Sequence, residues 1–223
     1  MKTTPDRESV AVPETPSEPE HRRNRVLRFF GELPGLIIVA LVIALLIKTF
    51  VVQSFYIPSG SMEPTLHGCP GCTGDRILVS KIPYYFHDPR RGDIIVFEDP
   101  NPKKAPDRGV VGGFVHWLFQ GLGVQKSQNE DFVKRVIGSP GDVVSAKGGK
   151  VYVNDQAVDE PYLTVRTADF GPTTVPPGSL FVMGDNRGNS LDSRFGLGFI
   201  PIDKVIGKAA VIIWPPSRIG LLH

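Results

Sequence analysis

The sequence predicts a mostly β protein, with an antiparallel β-sheet ectodomain that follows a single N-terminal transmembrane helix. The first observation is compositional, because 21 prolines and 24 glycines are spread between short runs of valine, isoleucine and phenylalanine. That composition is typical of a β fold with many turns. The second is an apolar run over residues 36–52, broken only by Lys48 and Thr49 near its end. A chain of 223 residues has room for one such domain, an anchor and a tail.

Residues 1–24 are predicted to form a disordered tail. Up to Glu20 they are mostly proline, threonine, serine and glutamate, so they bury too little apolar surface to offset the entropy cost of ordering. Four arginines then flank the apolar run on its N-terminal side: Arg22, Arg23, Arg25 and Arg28. Because basic flanks stay on the cytoplasmic side, the tail is expected in the cytoplasm and everything after about residue 53 outside it.

Residues 25–53 are predicted to comprise the basic flank and the transmembrane helix. The stretch 36–47 has no polar side chain, and its continuation to residue 52 reaches the roughly 17–20 residues that span about 30 Å of hydrocarbon. A secretory signal peptide would have a shorter apolar core and a small-residue cleavage site, and a buried core helix would have a polar face. Neither feature is present, which favours a membrane anchor whose Lys48 reaches the outer interface.

Residues 54–223 are predicted to form one extracytoplasmic β-rich domain. Its short β-branched runs alternate with turns and lack helical periodicity. The predicted strands cover residues 76–81, 93–97, 131–138, 142–146, 150–154, 179–184 and 207–214. The stretch SAKGGKVYVNDQAV predicts two successive hairpins, which turn at Gly148-Gly149 and at Asn154-Asp155.

The interval 101–131 interrupts the strand pattern. It begins with the polar, proline-bearing stretch NPKKAPDRG and continues with GGFVHWLFQGLGV, in which several large apolar side chains lie close together: Phe114, Trp117, Leu118 and Phe119. One interpretation is a surface loop with a small core of its own. The other is an insertion that lays aromatic side chains into the lipid headgroup region. The sequence leaves both open.

Two serines, Ser59 and Ser61, lie just outside the predicted anchor in the turn FYIPSGSMEPTL. Serines in a turn rich in proline and glycine are usually only turn residues. A serine nucleophile also needs a base, because a hydroxyl is weak at neutral pH. None of the five histidines lies in a predicted strand beside a placed carboxylate, so a Ser-His-Asp triad has no support beyond the fact that triads assemble in space.

Lys134 is the candidate base. If residues 132–137 form a strand, Phe132, Lys134 and Val136 share one face. One interpretation is an edge strand whose lysine blocks aggregation. The other is a desolvated lysine whose pKa falls from about 10.4 toward neutrality, which makes it a general base. A pKa lowered by about three units would cost the fold roughly 4 kcal/mol, which favours a functional reason for the lysine.

Four blocks behind the predicted anchor resemble the bacterial type I signal peptidase (leader peptidase) family: SGSMEPTL, RRGDIIVF, KRVIGSPGD and GDNRGNSLDSR, in that order. The resemblance runs from about residue 25 to the end of the chain. The variant HGCPGCTGDR and the 101–131 insertion are most similar to actinobacterial members. The resemblance implies a serine endopeptidase of the bacterial cell membrane that removes signal peptides through an acyl-enzyme intermediate, with no cofactor and no metal.

The same resemblance implies the partners. They are exported preproteins with Ala-X-Ala cleavage sites and the lipid bilayer, and the enzyme would act near the secretion translocon. The substrate is expected to bind as an added strand, held by main-chain hydrogen bonds. Nucleic acid is not an expected partner, because 25 basic residues are balanced by 23 acidic ones and no basic stretch is interleaved with aromatic residues.

The roles of individual residues also follow from the resemblance. It implies that Ser61 is the acylating nucleophile and Lys134 its base. Ser59 matches the side-chain oxyanion donor, which acts with the backbone amide of Ser61, and Ser190 matches the serine that orients the lysine. The matching ion-pair network is Arg135, Asp185, Asp192 and Arg194. The residues that match a shallow substrate groove are Phe55, Ile57, Pro58, Met62 and Val133.

The chain departs from the family pattern in three places, one of which is the unusually long insertion over residues 101–131. Gly188 stands where an acidic residue is most common, which puts the detailed ion-pair network in doubt. The interval 143–183 is short, so we expect a second β-subdomain reduced to a hairpin or two.

Cys69 and Cys72 form the motif CPGC outside the predicted anchor. A zinc site would need further ligands, of which only His67 is near, and a thioredoxin-like redox role lacks its βαβ setting. A local disulfide in an oxidising compartment is the favoured interpretation. It closes too short a loop to stabilise the fold much and would mainly stiffen the segment after the nucleophile.

Two alternatives to a general signal peptidase remain open. A dedicated processing protease for a pilus or conjugation protein would use the same chemistry. A catalytically silent, membrane-tethered β-module would require Ser61, Lys134 or Ser190 to be misplaced.

Overall fold

The computed structural model describes residues 19–101 and 131–222, with side chains described from residue 34. Residues 1–18 of the predicted tail and residues 102–130 of the predicted insertion lie outside the described residues. The chain divides into two units, Met1–Ala44 and Leu45–His223. Helix α1 spans Pro19–Phe50. Within the described part of the chain, no helix is both long enough and apolar enough to cross a membrane, so the membrane helix stays a prediction.

Twelve strands are present in the described residues, and every strand pairing is antiparallel, which confirms the predicted fold class of the ectodomain. The strands are β1 (Val52–Tyr56), β2 (Arg76–Ser80), β3 (Ile94–Glu98), β4 (Asp131–Gly138), β5 (Val143–Lys147), β6 (Lys150–Val153), β7 (Gln156–Ala157), β8 (Phe170–Thr174), β9 (Ser179–Met183), β10 (Ile200–Pro201), β11 (Val205–Trp214) and β12 (Gly220–Leu221). The seven predicted runs all form strands. The short β10 and β12 and the proline-bearing β8 had no clear signal in the sequence, and β7 was predicted only as the second arm of the hairpin that turns at Asn154-Asp155.

The strands form two sheets. The larger has the order β1-β2-β11-β3-β4-β9-β10, with β12 paired to β11, and the smaller has the order β7-β6-β5-β8. Strand β3 is buried on both faces, because Ile94 and Val96 contribute to one apolar cluster while Ile95 and Phe97 contribute to another. This explains its continuous apolar run, and it makes β3 the centre of the domain.

Both predicted hairpins of the smaller sheet are confirmed. Strands β5 and β6 pair around Gly148 and Gly149, and β6 and β7 pair around Asn154 and Asp155. All four turn residues have positive φ, between 51° and 87°. That conformation is the one which two-residue hairpin turns require, and glycine, asparagine and aspartate adopt it most readily.

The boundary between helix and sheet differs from the prediction. Helix α1 ends at Phe50, and residues 52–53, which the prediction assigned to the anchor, begin β1. The β-branched valines at the end of the apolar run pair with β2, where Val52 lies opposite Ser80 and Gln53 opposite Val79. The strand therefore starts almost directly after the helix and leads to the serine turn.

Gly138 provides a test of the packing between the two sheets. An ideal Cβ at this position would lie 2.6 Å from Val144 Cγ2 and 3.0 Å from Val175 Cγ2, and both valines are fully buried. We expect Gly138→Ala to lower the free energy of unfolding by about 1–3 kcal/mol through overpacking. Chemical denaturation followed by tryptophan fluorescence measures this change.

The matched control is Gly171→Ala, because a Cβ on Gly171 would meet no atom within 4 Å. Its free energy of unfolding should stay within about 0.5 kcal/mol of the parent value. Equal effects of the two substitutions would contradict the packing described for Gly138.

Candidate active site

The serine turn follows β1 directly. After Tyr56 the chain leaves the sheet, and a 3₁₀ turn over Gly60–Met62 carries Ser61. Met62 is fully buried in the apolar cluster around Ile94 and Val96, which fixes the turn to the sheet. The turn is closed by the Glu63 amide, which donates to the Gly60 carbonyl at 3.2 Å, and the Leu66 amide donates to the Met62 carbonyl at 2.9 Å in the turn that follows. The nucleophile candidate is therefore held by a buried neighbour on a short, tied turn.

Lys134 lies on β4, opposite Ile95 of β3. Its Nζ donates to Ser61 Oγ at 2.8 Å and to the Val133 carbonyl at 3.0 Å. The side chain is buried, and its amine lies 5.9 Å from the centre of the Phe132 ring. Strand β4 lies between β3 and β9, and β9 pairs with it only from Arg135 onward. The interpretation of Lys134 as an edge lysine that blocks aggregation is wrong, because the residue is only 3% exposed and its amine does not face solvent.

Burial changes the protonation of this lysine. Desolvation lowers the pKa of Lys134 from 10.5 to about 8, although the nearby carboxylates Asp192 and Asp185 favour the ammonium form. With a pKa of about 8, roughly one lysine in ten is neutral at pH 7, compared with one in several thousand for an ordinary lysine. An amine with such a pKa can accept a proton near neutral pH, which is the chemical requirement of a general base.

The two described histidines take no part in this arrangement. His67 Nδ1 lies 2.8 Å from Glu63 Oε1. His87 Nδ1 lies 2.8 Å from the carbonyl of Asp88. Within residues 34–101 and 131–222, neither histidine forms a hydrogen bond with Ser61.

Ser59 lies on the exposed side of the same turn. Its Oγ donates to Ser61 Oγ at 3.4 Å. Its backbone is extended, with φ −135° and ψ 153°, just before the 3₁₀ turn begins. The structure thus brings together Ser59, Ser61 and Lys134, with two hydroxyls and one amine in a row.

Ser190 lies close to this group but is not bonded to it. An ideal Cβ on Gly184 would overlap both Ser190 Oγ and the Ser61 carbonyl oxygen, so these three residues are in close contact. Ser190 Oγ is buried and has no hydrogen-bond partner among the described residues. The hydrogen bond to Lys134 that the family resemblance implies is thus not formed in this structure, and the orienting role of Ser190 stays a prediction.

The four residues of the predicted ion-pair network form two buried pairs. Arg135 donates to both carboxylate oxygens of Asp185, at 2.9 and 2.8 Å. Arg194 donates to both oxygens of Asp192, at 2.9 and 2.7 Å. Each arginine meets its carboxylate in a two-point contact, which is the strong geometry for this pair.

Four of the five predicted groove residues belong to one apolar cluster or pack against it. Ile57 and Met62 are buried in that cluster, Phe55 and Val133 pack against it from partly exposed positions, and Pro58 is exposed. Phe55 and Val133 are therefore the two predicted groove residues whose side chains are partly exposed and also rest on the buried cluster. The substrate-binding role of all five stays a prediction.

Thr65 and Asn186 hold the site, and both lie inside the quoted blocks, SGSMEPTL and GDNRGNSLDSR, although no role was predicted for either from the sequence. Thr65 Oγ1 donates to Asp185 Oδ2 at 2.5 Å, which ties the serine turn to the ion-pair network. Asn186 binds the turn twice. Its backbone amide donates to the Ser61 carbonyl at 3.1 Å, and its side-chain amide donates to the Gly60 carbonyl at 3.0 Å. Asn186 lies inside the block GDNRGNSLDSR, which is the one signal that could have indicated it.

Arg187 joins residues 160–167, which connect β7 to β8, to the segment that follows β9. Its guanidinium binds Glu160 at 2.5 and 3.1 Å and Thr167 Oγ1 at 2.7 Å, while its Nε donates to the Gly184 carbonyl at 3.0 Å. Nearby, the Tyr162 ring stacks on the guanidinium of Arg135, with 3.9 Å to the ring centre. Residues 160–167 thus support both arginines of the site.

Cys69 and Cys72 are joined by a disulfide. The ligand atoms of His67, Cys69 and Cys72 lie within 4.8 Å of one another, but the two sulfur atoms are bonded to each other and do not offer thiolates to a metal.

Comparison with known proteins agrees with the site. The family described as signal peptidase, peptidase S26, matches residues 31–214. Signal peptidase I of Mycobacterium tuberculosis (strain CDC 1551 / Oshkosh) is 38% identical over 234 aligned residues, which cover 92% of this chain and 79% of that protein. Signal peptidase I of Leptolyngbya laminosa is 42% identical over 184 residues, or 82% of this chain and 79% of that protein.

Signal peptidase I T of Bacillus subtilis (strain 168) is 35% identical over 190 residues, which cover 80% of this chain and 82% of that protein. The resemblance that the four sequence blocks indicated is confirmed, including the similarity to an actinobacterial relative.

Arg187 offers a test of the support described above. Its side chain is fully buried and that of Glu160 is 6% exposed. We expect Arg187→Met to lower the free energy of unfolding by about 3–5 kcal/mol, because it leaves a buried carboxylate without its cation. Chemical denaturation measures the loss.

The matched control is Lys204→Met. Lys204 pairs with Glu98 at 3.4 Å on the surface, where both side chains are more than a third exposed. Loss of such a pair should cost no more than about 1 kcal/mol. The double variant Arg187→Met/Glu160→Leu should recover part of the loss, since no unpaired charge then remains buried. If Arg187→Met lowers the free energy of unfolding by no more than Lys204→Met does, the buried pair does not support residues 160–167.

Proposed function

The chain belongs to the signal peptidase family, peptidase S26, whose members are serine endopeptidases, and on that premise we propose that Ser61 and Lys134 form its catalytic dyad. The observation that carries this proposal is the 2.8 Å hydrogen bond from Lys134 Nζ to Ser61 Oγ. A buried amine with a lowered pKa is the second requirement of such a base, and burial of Lys134 provides it.

The reaction follows from these positions. Neutral Lys134 takes the proton of Ser61 Oγ while that oxygen attacks the carbonyl carbon of the scissile peptide bond. The carbonyl oxygen becomes negatively charged, and the backbone amide of Ser61 and the hydroxyl of Ser59 donate to it. The C–N bond then breaks, the ammonium of Lys134 gives its proton to the leaving amine, and an acyl-enzyme on Ser61 remains.

Hydrolysis of the acyl-enzyme repeats the proton transfer with water. Lys134 takes a proton from the water molecule that attacks the ester carbon, and returns it to Ser61 Oγ when the C–O bond breaks. In this proposal Ser190 orients the Lys134 amine toward the oxygen of the attacking water and toward Ser61 Oγ. The mature chain leaves with the amine in the first step, and hydrolysis of the acyl-enzyme releases the signal peptide.

We expect the substrate to bind in an extended conformation. Strand β1 is the outermost strand of the larger sheet, and β4 pairs with β9 only from Arg135 onward. The edges of β1 and of residues 131–134 are therefore available for main-chain hydrogen bonds close to Lys134. Phe55 and Val133 supply apolar surface there, which suits the small alanine side chains of an Ala-X-Ala cleavage site.

Two alternative functions are distinguishable. A catalytically silent module is disfavoured by the bonded Ser61 and Lys134. A dedicated processing protease would share the site and differ in substrate range, so cleavage of several unrelated preproteins by the purified chain separates it from a general signal peptidase. The expected cuts follow Ala-X-Ala sequences.

Substitution of the dyad tests the mechanism. Lys134→Arg should abolish preprotein cleavage, because a guanidinium stays charged in any protein site. Ser61→Ala should abolish the acyl-enzyme, which mass spectrometry of trapped protein detects. In the parent enzyme kcat/KM should rise with pH along a limb centred near 8, since the base acts in its neutral form and burial lowers its pKa to that value.

His67→Ala and His87→Ala are the controls and should cleave nearly as well as the parent. A histidine variant as inactive as Lys134→Arg, together with a limb near pH 6–7, would instead indicate a histidine base.

We also propose that residues 25–53 anchor the enzyme in the bacterial cell membrane with the catalytic domain outside. The support is the apolar stretch 36–47, most of whose large side chains are exposed in α1, as at Leu36 and Ile38. The basic flank before this stretch and Lys48 in the last turn of α1 match the two interfaces.

Vesicle flotation tests the anchor. The full chain should float with lipid vesicles and resist alkaline extraction, while the chain without residues 1–53 should lose most of this binding. If the truncated chain binds as strongly as the full chain, the anchor proposal fails. Trp117→Ser/Phe119→Ser in the truncated chain then reports any contribution of the 101–131 insertion.

A further inference from the structure

The segment that follows the nucleophile turn returns to pack behind it. We call residues 67–75 the buttress loop. The amide of Asp75 donates to the carbonyl of His67 at 2.8 Å, which closes the loop, and the amide of Ile57 donates to the carbonyl of Asp75 at 2.9 Å. The end of the loop is thereby hydrogen-bonded to the chain two residues before Ser59.

Two glycines allow a contact that no other residue could make. An ideal Cβ on Gly68 would lie 2.6 Å from the Ile57 carbonyl oxygen and 2.8 Å from the backbone nitrogen of Ser59. A Cβ on Gly74 would overlap the Ile57 carbonyl oxygen. The backbone of the buttress loop therefore packs directly against the backbone of Ile57 and of Ser59.

Both ends of the loop are fixed by one buried carboxylate. Asp75 is fully buried, accepts from the amide of His67 at 2.8 Å and binds Arg218 at 2.9 and 3.0 Å. Arg218 also donates to the carbonyl of Thr65 at 3.3 Å. The loop is thus tied to the chain on both sides and to the C-terminal part of the domain.

The disulfide closes the remaining part of the loop. It joins Cys69 to Cys72, and the carbonyl of Cys72 accepts a hydrogen bond from the Tyr56 hydroxyl at 2.9 Å. Tyr56 is the last residue of β1, next to Ile57. Since a short disulfide loop adds little to global stability, its effect is local and concerns the shape of this segment.

Ser59 needs such support more than the other site residues do. It is exposed, and among the described residues its hydroxyl has Ser61 Oγ as its sole hydrogen-bond partner, at 3.4 Å. An oxyanion donor contributes only if it is already placed where the negative charge develops. The position of the Ser59 hydroxyl accordingly depends on its backbone, and the buttress loop is what contacts that backbone.

We propose that the buttress loop positions Ser59 for oxyanion stabilisation, with Gly68 as the contact residue and the Cys69–Cys72 disulfide maintaining the loop's shape. The inference rests on the proposed oxyanion role of Ser59. Gly68 and the disulfide are positioning elements, because neither touches the substrate. Their loss should affect the chemical step and not the binding of substrate.

The test introduces Gly68→Ala into the full chain in detergent micelles and measures kcat and KM with a preprotein. We expect kcat to fall by about ten- to a hundredfold, less than the roughly 10²–10³-fold that loss of a whole oxyanion donor costs. KM should stay within about twofold of the parent value, since binding is unaffected. The control Gly171→Ala, with no atom near its new methyl group, should keep the parent kcat.

A double-mutant cycle with Ser59→Ala shows whether Gly68 acts through Ser59. In the Ser59→Ala background, Gly68→Ala should lower kcat by less than about twofold, because the group it positions is gone. Multiplying losses would overturn the proposal and mark Gly68 as a general structural residue. An unchanged kcat for Ser59→Ala alone would overturn the oxyanion role of Ser59, and the positioning inference with it, while leaving the Ser61/Lys134 dyad intact.

Disulfide reduction provides the second arm if Gly68→Ala fails to fold. Dithiothreitol converts the disulfide into two thiols and is itself oxidised to a cyclic disulfide. We expect kcat of the parent to fall reversibly by several-fold, with recovery on reoxidation, and kcat of Ser59→Ala to stay unchanged. Equal responses of the two proteins, or no response in the parent, would overturn the role of the disulfide.

Discussion

A lysine amine kept out of water beside a serine hydroxyl is the constraint on which the rest of the site depends. A pKa lowered from 10.5 to about 8 corresponds to roughly 3 kcal/mol against the charged form. Because the folded pKa lies below the unfolded one, the unfolded chain binds more protons between pH 8 and 10.5. Stability therefore rises with pH across that window, and the full cost is present below pH 8. Strand β4 must hold Lys134 in place against this cost, and its position inside the sheet next to β3 does so.

The carboxylates around the lysine are arranged so that they do not restore its charge. Asp185 and Asp192 both favour the ammonium of Lys134, and a free carboxylate close by would raise its pKa by several units. Each is instead held in a two-point contact by an arginine, Arg135 for Asp185 and Arg194 for Asp192. Desolvation of Lys134 is the larger effect and outweighs both carboxylates, so it decides the direction in which the pKa of the amine moves.

The sequence could predict the features that depend on local patterns, but not those that depend on contacts between distant parts of the chain. Strand positions, the two hairpin turns and the apolar face of Lys134 follow from local patterns of alternation and turn residues, and the structure agrees with them. The contacts of Thr65, Glu160 and Arg218 join parts of the chain more than 25 residues apart, and no local pattern encodes such pairing. The start of β1 was misassigned because valines at the end of an apolar helix suit a strand equally well.

The length of the connection between helix and nucleophile places a limit on where the enzyme can cut. Ser61 follows the end of α1 at Phe50 by 11 residues, and an extended chain of that length reaches at most about 40 Å. If α1 crosses the bilayer as proposed, Ser61 cannot work far from the membrane surface. A preprotein whose own apolar segment lies in the bilayer presents the bond after that segment in the same zone. If both the anchor and the dyad are as proposed, the short connection through β1 would contribute to selectivity, because it would keep Ser61 in the region where signal-peptide cleavage sites emerge.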